Sequence, residues 1–175
     1  MELVLYPDPI LRKRAAEVET IDDALRERVA EMFEVMYREH GVGLAAPQVG
    51  WGVRLFVMNA LGPDAPDEGL VFINPKIVKT EGGFIDEEGC LSIPDVRGNV
   101  ERSFAIEVEA VDENGQEFRA ELEDLAARVV QHEYDHLDGI LFTSRLSPAE
   151  KLRIRAAMKR MEKDYKKRQQ EGGRG

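Results

Sequence analysis

The spacing of apolar residues along the chain predicts three helices. In the first, apolar side chains recur at the helical period, at Ile21, Leu25, Val29, Met32, Phe33 and Met36. Thr20 and Asp23 have the spacing of a capping box, and Gly41 is a natural end for the helix. We therefore expect an amphipathic helix between Thr20 and Gly41.

Two more helices are expected in the second half of the chain. One runs from about Glu123 to Leu137, and its inward-facing residues are Leu125, Val129 and Val130. The other begins at Ser147-Pro148-Ala149-Glu150, which joins an N-cap serine, a proline in the first turn and a capping glutamate. This C-terminal helix is predicted to span about residues 147–168, and residues 169–175 are expected to form a disordered tail.

The middle of the chain favours strands. Apolar and charged residues alternate over residues 104–110 and 117–122, and Asn114-Gly115 between them predicts a hairpin. Short apolar runs at residues 55–58 and 71–73 predict further strands. Strands that are segregated from helices and joined by hairpins are typical of the α+β class. We expect antiparallel or mixed β-sheets packed around a central helix, which is the second one, with an N-terminal and a C-terminal helix.

Composition places these elements in one domain, residues 1–168. The chain has 175 residues, of which 43% are hydrophobic and 33% charged, so it can bury a core and keep a solvated surface. The net charge of −10 argues against DNA or an anionic membrane as a partner over most of the surface.

No run approaches the ~18 apolar residues of a membrane span. The single cysteine, Cys90, fits a reducing compartment, so we expect a cytoplasmic protein.

The segment His132-Glu133-Tyr134-Asp135-His136 has the strongest chemical signal. It is an H-E-x-x-H pattern inside the second predicted helix, where the spacing places both imidazoles on one face, able to bind one metal ion. Glu133 lies beside the first histidine and can act as general base on a water molecule at the metal. The alternative is a solvated face with two incidental histidines, which the independently predicted helix disfavours.

A catalytic metal needs a third protein ligand and one open position. The third histidine of the metzincin pattern is missing, because position 142 is Phe142. Glu150 is better explained as a helix cap. Cys90, within Glu88-Gly89-Cys90-Leu91-Ser92, is the remaining candidate. Taken alone it would be a small buried core residue, but beside an incomplete metal site a thiolate ligand is the favoured interpretation.

A third segment, Gly41-Val42-Gly43-Leu44-Ala45-Ala46-Pro47-Gln48, is rich in glycine and alanine. It is superficially similar to a dinucleotide-binding fingerprint, but a helix precedes it instead of a strand, and Pro47 would break the helix that should follow. A tight turn is one interpretation. The other is that the glycines allow the backbone to approach an extended ligand closely, while Gln48 offers an amide N–H to a developing oxyanion.

Together these segments resemble the peptide deformylase family. The family pattern G-x-G-x-A-A-x-Q is met by residues 41–48, E-G-C-L-S by residues 88–92 and Q-H-E-x-D-H by residues 131–136, and the opening residues 6–12 are also similar. The resemblance implies a catalytic domain of the bacterial cytoplasm that hydrolyses the N-formyl group from the formyl-methionine of new polypeptides. It implies one divalent metal ion, usually Fe²⁺, which Zn²⁺, Ni²⁺ or Co²⁺ can replace. The ligand types alone favour Zn²⁺.

The resemblance also assigns roles to residues at matching positions. The implied metal ligands are Cys90, His132 and His136. The implied catalytic residues are Glu133 as proton carrier, and the Gln48 side chain and the Leu91 backbone N–H as oxyanion donors. The residues assigned to substrate binding are Val42, Gly43, Gly89, Arg97, Leu125 and Val129. Those assigned to holding the site together are Glu88 and Gln131. For Leu125 and Val129 an ordinary core position is an equal alternative, and for Arg97 a solvated surface charge.

The C-terminal segment differs in charge from the rest of the chain. From Arg145 onward there are 11 basic and 4 acidic residues, against 13 basic and 30 acidic residues before it. This segment has two possible interpretations. It is either a solvated face that balances the charge of an acidic body or a surface that docks on ribosomal RNA. Two other classes also remain: a metalloprotease with the same metal chemistry, and a protein that uses the metal as a structural clip, which would require a fourth protein ligand.

Overall fold

The computed structural model describes residues 1–172, which form four helices and seven strands. In chain order these elements are α1 (Asp23–Arg38), β1 (Gly43–Ala45), β2 (Leu55–Met58), β3 (Leu70–Glu81), β4 (Phe84–Cys90), β5 (Ile93–Arg102), β6 (Ala105–Val111), β7 (Glu117–Glu123), α2 (Asp124–Leu137), α3 (Phe142–Arg145) and α4 (Pro148–Gly172). Short 3₁₀ turns lie at Pro9–Arg12, Ala46–Val49 and Pro66–Glu68.

A five-stranded antiparallel sheet lies between α1 and α2. Its strand order is β1-β2-β3-β6-β7, and β4 and β5 form a separate antiparallel ladder. In β2, Leu55 and Val57 pack in the core cluster of α1, whereas Phe56 and Met58 pack in that of α2. Because alternate residues of a strand point to opposite faces, β2 is buried on both sides, which explains its unbroken apolar run. The α+β prediction is confirmed.

The predicted N-cap is found at α4 but not at α1. At α4, the Ser147 hydroxyl accepts a hydrogen bond from the Glu150 N–H at 3.2 Å, as the capping pattern predicts. At α1, the N-cap is Asp22, whose carboxylate accepts from the Leu25 N–H at 2.9 Å. The capping box predicted at Thr20 is therefore wrong, because the carboxylate two residues later satisfies one of the free N–H groups in the first turn of the helix.

Helix α4 is longer than the sequence suggested. It continues to Gly172, so a disordered tail from residue 169 is wrong for residues 169–172, while residues 173–175 lie outside the described part of the chain. Lys167 and Glu171, one helical turn apart, pair at 3.9 Å and support this last stretch weakly. No helix within residues 1–172 is both long enough and apolar enough to cross a membrane.

The strands contain both confirmed and unexpected elements. The β6–β7 hairpin forms as predicted, and Gly115 adopts a φ of +80° in its loop. The β4–β5 ladder was not apparent from the apolar pattern. The residues that it buries include Glu88, Gly98 and Arg102, and these interrupt the apolar alternation that marks a half-buried strand.

Candidate metal centre and substrate cleft

Helix α2 presents both histidines of the H-E-x-x-H pattern to one side. His132 and His136 are buried one turn apart, and their ring centroids are 5.0 Å apart. Cys90, the last residue of β4, faces them, and its Sγ lies 3.3 Å from Nε2 of His136. One potential ligand atom from each of the three residues lies within 4.8 Å of the others. The fold therefore brings together three side chains from distant parts of the sequence.

These three residues fit a divalent metal ion. Metal–sulfur and metal–nitrogen bonds of about 2.3 and 2.1 Å in a tetrahedral arrangement place adjacent ligand atoms roughly 3.5 Å apart, close to the 3.3 Å between Sγ and Nε2. Burial lowers the pKa of His136, which keeps its imidazole neutral and able to coordinate a cation. Within residues 1–172 the cluster contains only these three donor residues, so a four-coordinate ion would keep one position open.

Glu88 fixes the orientation of His132. Its carboxylate lies 3.0 Å from Nδ1 of His132, which leaves Nε2 for the metal. The same carboxylate accepts hydrogen bonds from Arg102 at 2.8 and 2.9 Å and from Arg128 at 2.7 Å. Burial raises the pKa of Glu88, but the hydrogen bonds from Arg102 and His132 outweigh it and hold the pKa well below its usual range. Glu88 is therefore an anion that sets the tautomer and ring direction of His132.

Glu133 is equally buried, but its surroundings differ. Its Oε2 atom has no hydrogen-bond partner among the described residues. Burial raises the pKa of Glu133 to about 7. A carboxyl group of this kind can take up and release a proton near neutral pH, which suits a general base beside a metal.

Close packing of β1 on α2 depends on Gly43. A Cβ atom at this position would lie 2.6 Å from Oε1 of Glu133 and 2.8 Å from Cγ1 of Val129, so something would have to move. Gly89 has more room, because the nearest atom to a Cβ there would be Cγ of Arg97 at 3.5 Å. Gly43 is therefore required for the close approach of β1 to α2, whereas the space around Gly89 would admit a methyl group. The close approach of the glycines to an extended ligand stays a prediction.

Gln48 is held against the cluster by the 3₁₀ turn that follows β1. Its side-chain oxygen accepts a hydrogen bond from the Ala45 N–H at 2.8 Å, which fixes which end of the amide is nitrogen. That nitrogen lies 3.2 Å from Oγ of Ser92 and 3.5 Å from Sγ of Cys90. A preorganised N–H donor therefore lies directly beside the three candidate ligands.

An open cleft of about 520 Å³ runs past the cluster. The predicted site residues that line it are Val42, Gly43, Gln48, Glu88, Gly89, Cys90, Leu91, Arg97, Leu125, Val129, His132 and Glu133. Since β1 is an edge strand of its sheet and β4 contributes the opposite wall, an extended peptide can lie between them.

Two predicted residues are placed differently from expectation. Leu125 is 48% exposed, because the cleft rather than the sheet faces the first turn of α2, so its prediction as an inward-facing core residue is wrong. Gln131 points away from the metal cluster. Its amide donates to the carbonyl oxygens of Ser103 and Ala127 and accepts from the Ser103 N–H at 3.0 Å. It joins α2 to the chain after β5, and none of these bonds reaches Cys90, His132 or His136. The assignment of Gln131 to holding the site together stays a prediction.

Sequence reasoning missed the two arginines that hold Glu88. Arg128 precedes His132 by one helical turn, so helical spacing already placed a charge on the buried face, a signal that an anionic partner was needed. Arg102 gives no comparable signal, because it lies in β5 opposite Phe84, and only the folded β4–β5 ladder shows that its side chain reaches Glu88.

The residues that could have completed other metal patterns have other partners. Phe142, at the position where a metzincin has a histidine, is buried with its ring centroid 6.2 Å from that of His132. Glu150 lies at the start of α4, where it pairs with Arg153 at 2.6 Å. Neither residue competes with Cys90 as the third ligand.

A cysteine and two histidines beside a buried carboxyl group, open to a peptide-sized cleft, form the arrangement of a mononuclear metallohydrolase. Comparison with known sequences agrees with this class, since residues 1–152 match the profile of the polypeptide deformylase family. The chain therefore belongs to the polypeptide deformylase family.

Individual relatives show how far the likeness extends. The chain is 42% identical over 161 residues to a peptide deformylase of Acidobacterium capsulatum, covering 92% of this chain and 95% of that one. It is 44% identical over 166 residues to the chloroplastic peptide deformylase 1B of Oryza sativa subsp. japonica, covering 94% of this chain but only 62% of the rice protein. The chain thus spans less than two thirds of the length of this plant relative. Its fold matches a crystal structure of peptide deformylase from Plasmodium falciparum with a TM-score of 0.92 at 40% identity, covering 94% and 97% of the two chains.

Proposed function

We propose that this protein removes the N-formyl group from the formyl-methionine of newly made polypeptides and releases formate. The observation that carries the proposal is the meeting of Cys90, His132 and His136 beside Glu133, whose Oε2 has no partner among the described residues, at an open cleft. The bacterial relative of which the chain covers 95% is named peptide deformylase. The proposed catalytic domain is residues 1–168, and the proposed place of action is the bacterial cytoplasm.

Cys90, His132 and His136 would hold one divalent metal ion. A bound ion supplies Lewis acidity toward the formyl oxygen and lowers the pKa of a water molecule. We propose Fe²⁺ as this ion, with Zn²⁺, Ni²⁺ or Co²⁺ able to replace it. A thiolate with two imidazoles accommodates all four metals, so the choice of Fe²⁺ rests on the family resemblance and not on the donor set.

Glu133 is the proposed proton carrier. Its free Oε2 can accept a proton from the attacking water, and its raised pKa lets it hold that proton near neutral pH. The same carboxyl group then donates the proton to the nitrogen of the leaving amine. The C–N bond of the formyl amide breaks at this step, leaving formate and a free N-terminus.

Two N–H groups are proposed to stabilise the charge that develops on the formyl oxygen. One is the side-chain amide of Gln48, whose direction is already set by the bond from Ala45. The other is the backbone N–H of Leu91, which follows Cys90 directly in the turn between β4 and β5. Each such donor is typically worth about 3 kcal/mol in the transition state.

The substrate main chain is proposed to lie as an added strand between β1 and β4, hydrogen-bonded to Gly43 and Gly89. Val42 and Leu125, which are 37% and 48% exposed, give the cleft an apolar wall with Val129 that a methionine side chain would cover. Arg97 lies at the rim, 3.6 Å from the carboxylate of Glu87. An acetyl group adds a methyl at the reacting carbon, so a tight fit there would favour formyl substrates.

We also propose that the basic face of α4 docks on ribosomal RNA. Its exposed basic residues are Lys151, Arg153, Arg155, Lys159, Arg160, Lys163, Lys166, Lys167 and Arg168. Replacing Lys159, Lys163 and Lys166 with glutamate should reduce co-sedimentation with ribosomes at low salt while a short formyl peptide is still hydrolysed. Unchanged co-sedimentation would contradict the docking proposal. Removing α4 is a poorer test, because Ile154 is buried in the core.

The deformylase proposal is tested by formate release from a matched pair of peptides, one beginning with formyl-methionine and the other with methionine. Protein purified without oxygen should release formate from the first peptide only, and a strong chelator should abolish the reaction. A metalloprotease would cleave peptide bonds in both, and a metal used as a structural clip would support neither reaction. Either of those results would overturn the proposed function.

A further inference from the structure

Two charged residues on the far side of α2 lie outside the catalytic arrangement proposed above. Asp135 lies between His132 and His136 in the sequence. Its side chain is buried and does not face the cleft. Its carboxylate accepts a hydrogen bond from Nη1 of Arg102 at 2.6 Å. Arg145, the last residue of α3, approaches the same carboxylate with Nε on one oxygen and Nη2 on the other, and its side chain is 42% exposed.

These contacts join into one continuous chain from the surface to a candidate metal ligand. Arg145 holds Asp135, Asp135 holds Arg102, Arg102 holds both oxygens of Glu88, and Glu88 lies on Nδ1 of His132. The inner links are buried, since the side chains of Arg102, Glu88 and Asp135 are 3%, 5% and 7% exposed. We name this series of contacts the outer chain.

The geometry of Arg102 explains why Asp135 matters to Glu88. A buried guanidinium needs an acceptor for each donor group, and here Nε and Nη2 serve Glu88 while Nη1 serves Asp135. Without an anion at Asp135, the Nη1 donors would lose their charged partner and the full charge of Arg102 would act on Glu88. The carboxylate would then be a weaker acceptor for the imidazole. Arg145 fixes the orientation of the Asp135 carboxylate because it binds both oxygens.

We propose that Asp135 and Arg145 are positioning residues that raise the affinity of the site for its metal ion, acting on His132 through Arg102 and Glu88. Neither residue touches the cleft or a ligand atom of the metal cluster. Direct hydrogen-bond partners of metal-binding histidines are typically worth about 10- to 100-fold in metal affinity or activity. Asp135 and Arg145 act on His132 through Arg102 and Glu88, so we expect a smaller effect from them. The inference rests on the proposed metal site, because it assumes that His132 is a ligand.

The test uses the full chain with three variants and one matched control. Asp135→Asn keeps the shape of the side chain and removes its charge. Arg145→Met breaks the outer link at a partly exposed position, where the fold is expected to tolerate it, and Arg145→Lys restores the charge without the two-pronged contact. The control is Asp138→Asn, because Asp138 accepts from Arg54 at 2.7 Å near the end of the same helix but has no link to Glu88.

The main readout is the dissociation constant for Zn²⁺, measured by competition with a chelator. Asp135→Asn should raise it up to about 10-fold, the lower end of the effect of a direct partner, Arg145→Met should raise it less, and Arg145→Lys should recover part of the loss. Asp138→Asn should lower the melting temperature without changing the constant. With Co²⁺ in the site, the visible absorption bands of the first two variants should shift, while those of the control should match the unmodified protein.

The outcomes separate this inference from the proposed function. If the unmodified protein binds no metal, or binds it without using His132, the proposed site itself is wrong. If the unmodified protein binds Zn²⁺ and releases formate but all variants hold Zn²⁺ as tightly as Asp138→Asn, only the role of the outer chain is rejected. If Asp135→Asn does not fold but the other variants do, the Zn²⁺ dissociation constant of Arg145→Met decides whether the outer chain has the proposed role.

Discussion

Two buried carboxylates beside Cys90, His132 and His136 have opposite surroundings. Glu88 is 5% exposed and accepts hydrogen bonds from Arg102 and Arg128 while also contacting His132. Glu133 is 4% exposed, and its Oε2 has no partner among residues 1–172. The pKa of Glu88 is held well below its usual range, whereas burial raises that of Glu133 to about 7.

The difference shows that burial alone does not determine what a carboxyl group does. A carboxylate surrounded by fixed cationic donors cannot change its protonation near neutral pH, so it serves to orient a neighbour. A carboxyl group that lacks such donors exchanges protons readily and can take part in chemistry. The region around Glu88 therefore supplies rigidity, and the region around Glu133 supplies reactivity.

The largest expected effect is on catalysis by Glu133. Glu133→Ala should lower the rate of formate release by about 100- to 10,000-fold, because a positioned general base typically contributes that much. Metal content should remain near one ion per chain, since Glu133 is not one of the three clustered ligands. A rate within a factor of three of the unmodified protein, with metal bound, would remove Glu133 from the mechanism.

The next effect is on stability and is expected from Glu88. Glu88→Gln should reduce the free energy of unfolding by about 3–5 kcal/mol, because Arg102 and Arg128 lose their buried anionic partner. Urea denaturation measures this change. The matched control is Glu87→Gln in the same strand, whose side chain is 56% exposed and whose contact with Arg97 is long, so it should change stability very little. Equal losses in the two variants would contradict the contrast.

The pH dependence of stability should have opposite signs for the two carboxyl groups. The raised pKa of Glu133, about 7, means that the unfolded chain loses this proton at lower pH, so burying Glu133 becomes increasingly unfavourable as the pH rises from about 4.3 to 7. In metal-free protein, the free energy of unfolding of Glu133→Gln should therefore rise relative to that of the unmodified chain as the pH goes from 4 to 8. The expected rise is up to about 3 kcal/mol. The stability that Glu88 contributes should instead be lost as the pH falls below the ordinary carboxyl range. If urea denaturation gives the same difference in stability between Glu133→Gln and the unmodified chain at pH 4 and at pH 8, Glu133 ionises normally.

The smallest expected effect separates the two glycines of the cleft walls. Gly43→Ala places a methyl group 2.6 Å from Oε1 of Glu133, so we expect a loss of about 1–3 kcal/mol in stability and a lower turnover as that carboxyl group shifts. Gly89→Ala meets only ordinary contacts at 3.5 Å and should be nearly neutral in stability. Unchanged stability and turnover in Gly43→Ala would mean that the close approach of β1 to α2 is not required.

Much of the site could be predicted from local spacing. His132, Glu133 and His136 follow from the helical period alone, because residues one turn apart share a face. Cys90 followed from elimination combined with the family resemblance, and the structure brings it to the histidines at 3.3 Å. The short apolar run of β2 and the hairpin at Gly115 could also be predicted, because each depends on neighbours in sequence.

The remaining features depend on contacts between distant residues. The β4–β5 ladder buries charged and small residues, so its pattern does not stand out, and the partners of Glu88 come from β5 and α2. Leu125 fits a core position by helical period, but only the fold shows that the cleft faces its turn. Gln131 lies beside His132 in sequence, but the helical twist directs it to Ser103 on the other side of α2.

X-ray absorption at the zinc edge of Zn²⁺-loaded protein tests most directly whether one ion is shared by Cys90, His132 and His136. The ligand shell should contain one sulfur at about 2.3 Å and two imidazole nitrogens at about 2.1 Å, and Cys90→Ser should remove the sulfur. A shell of nitrogen and oxygen atoms only, unchanged by that substitution, would contradict the proposed metal centre.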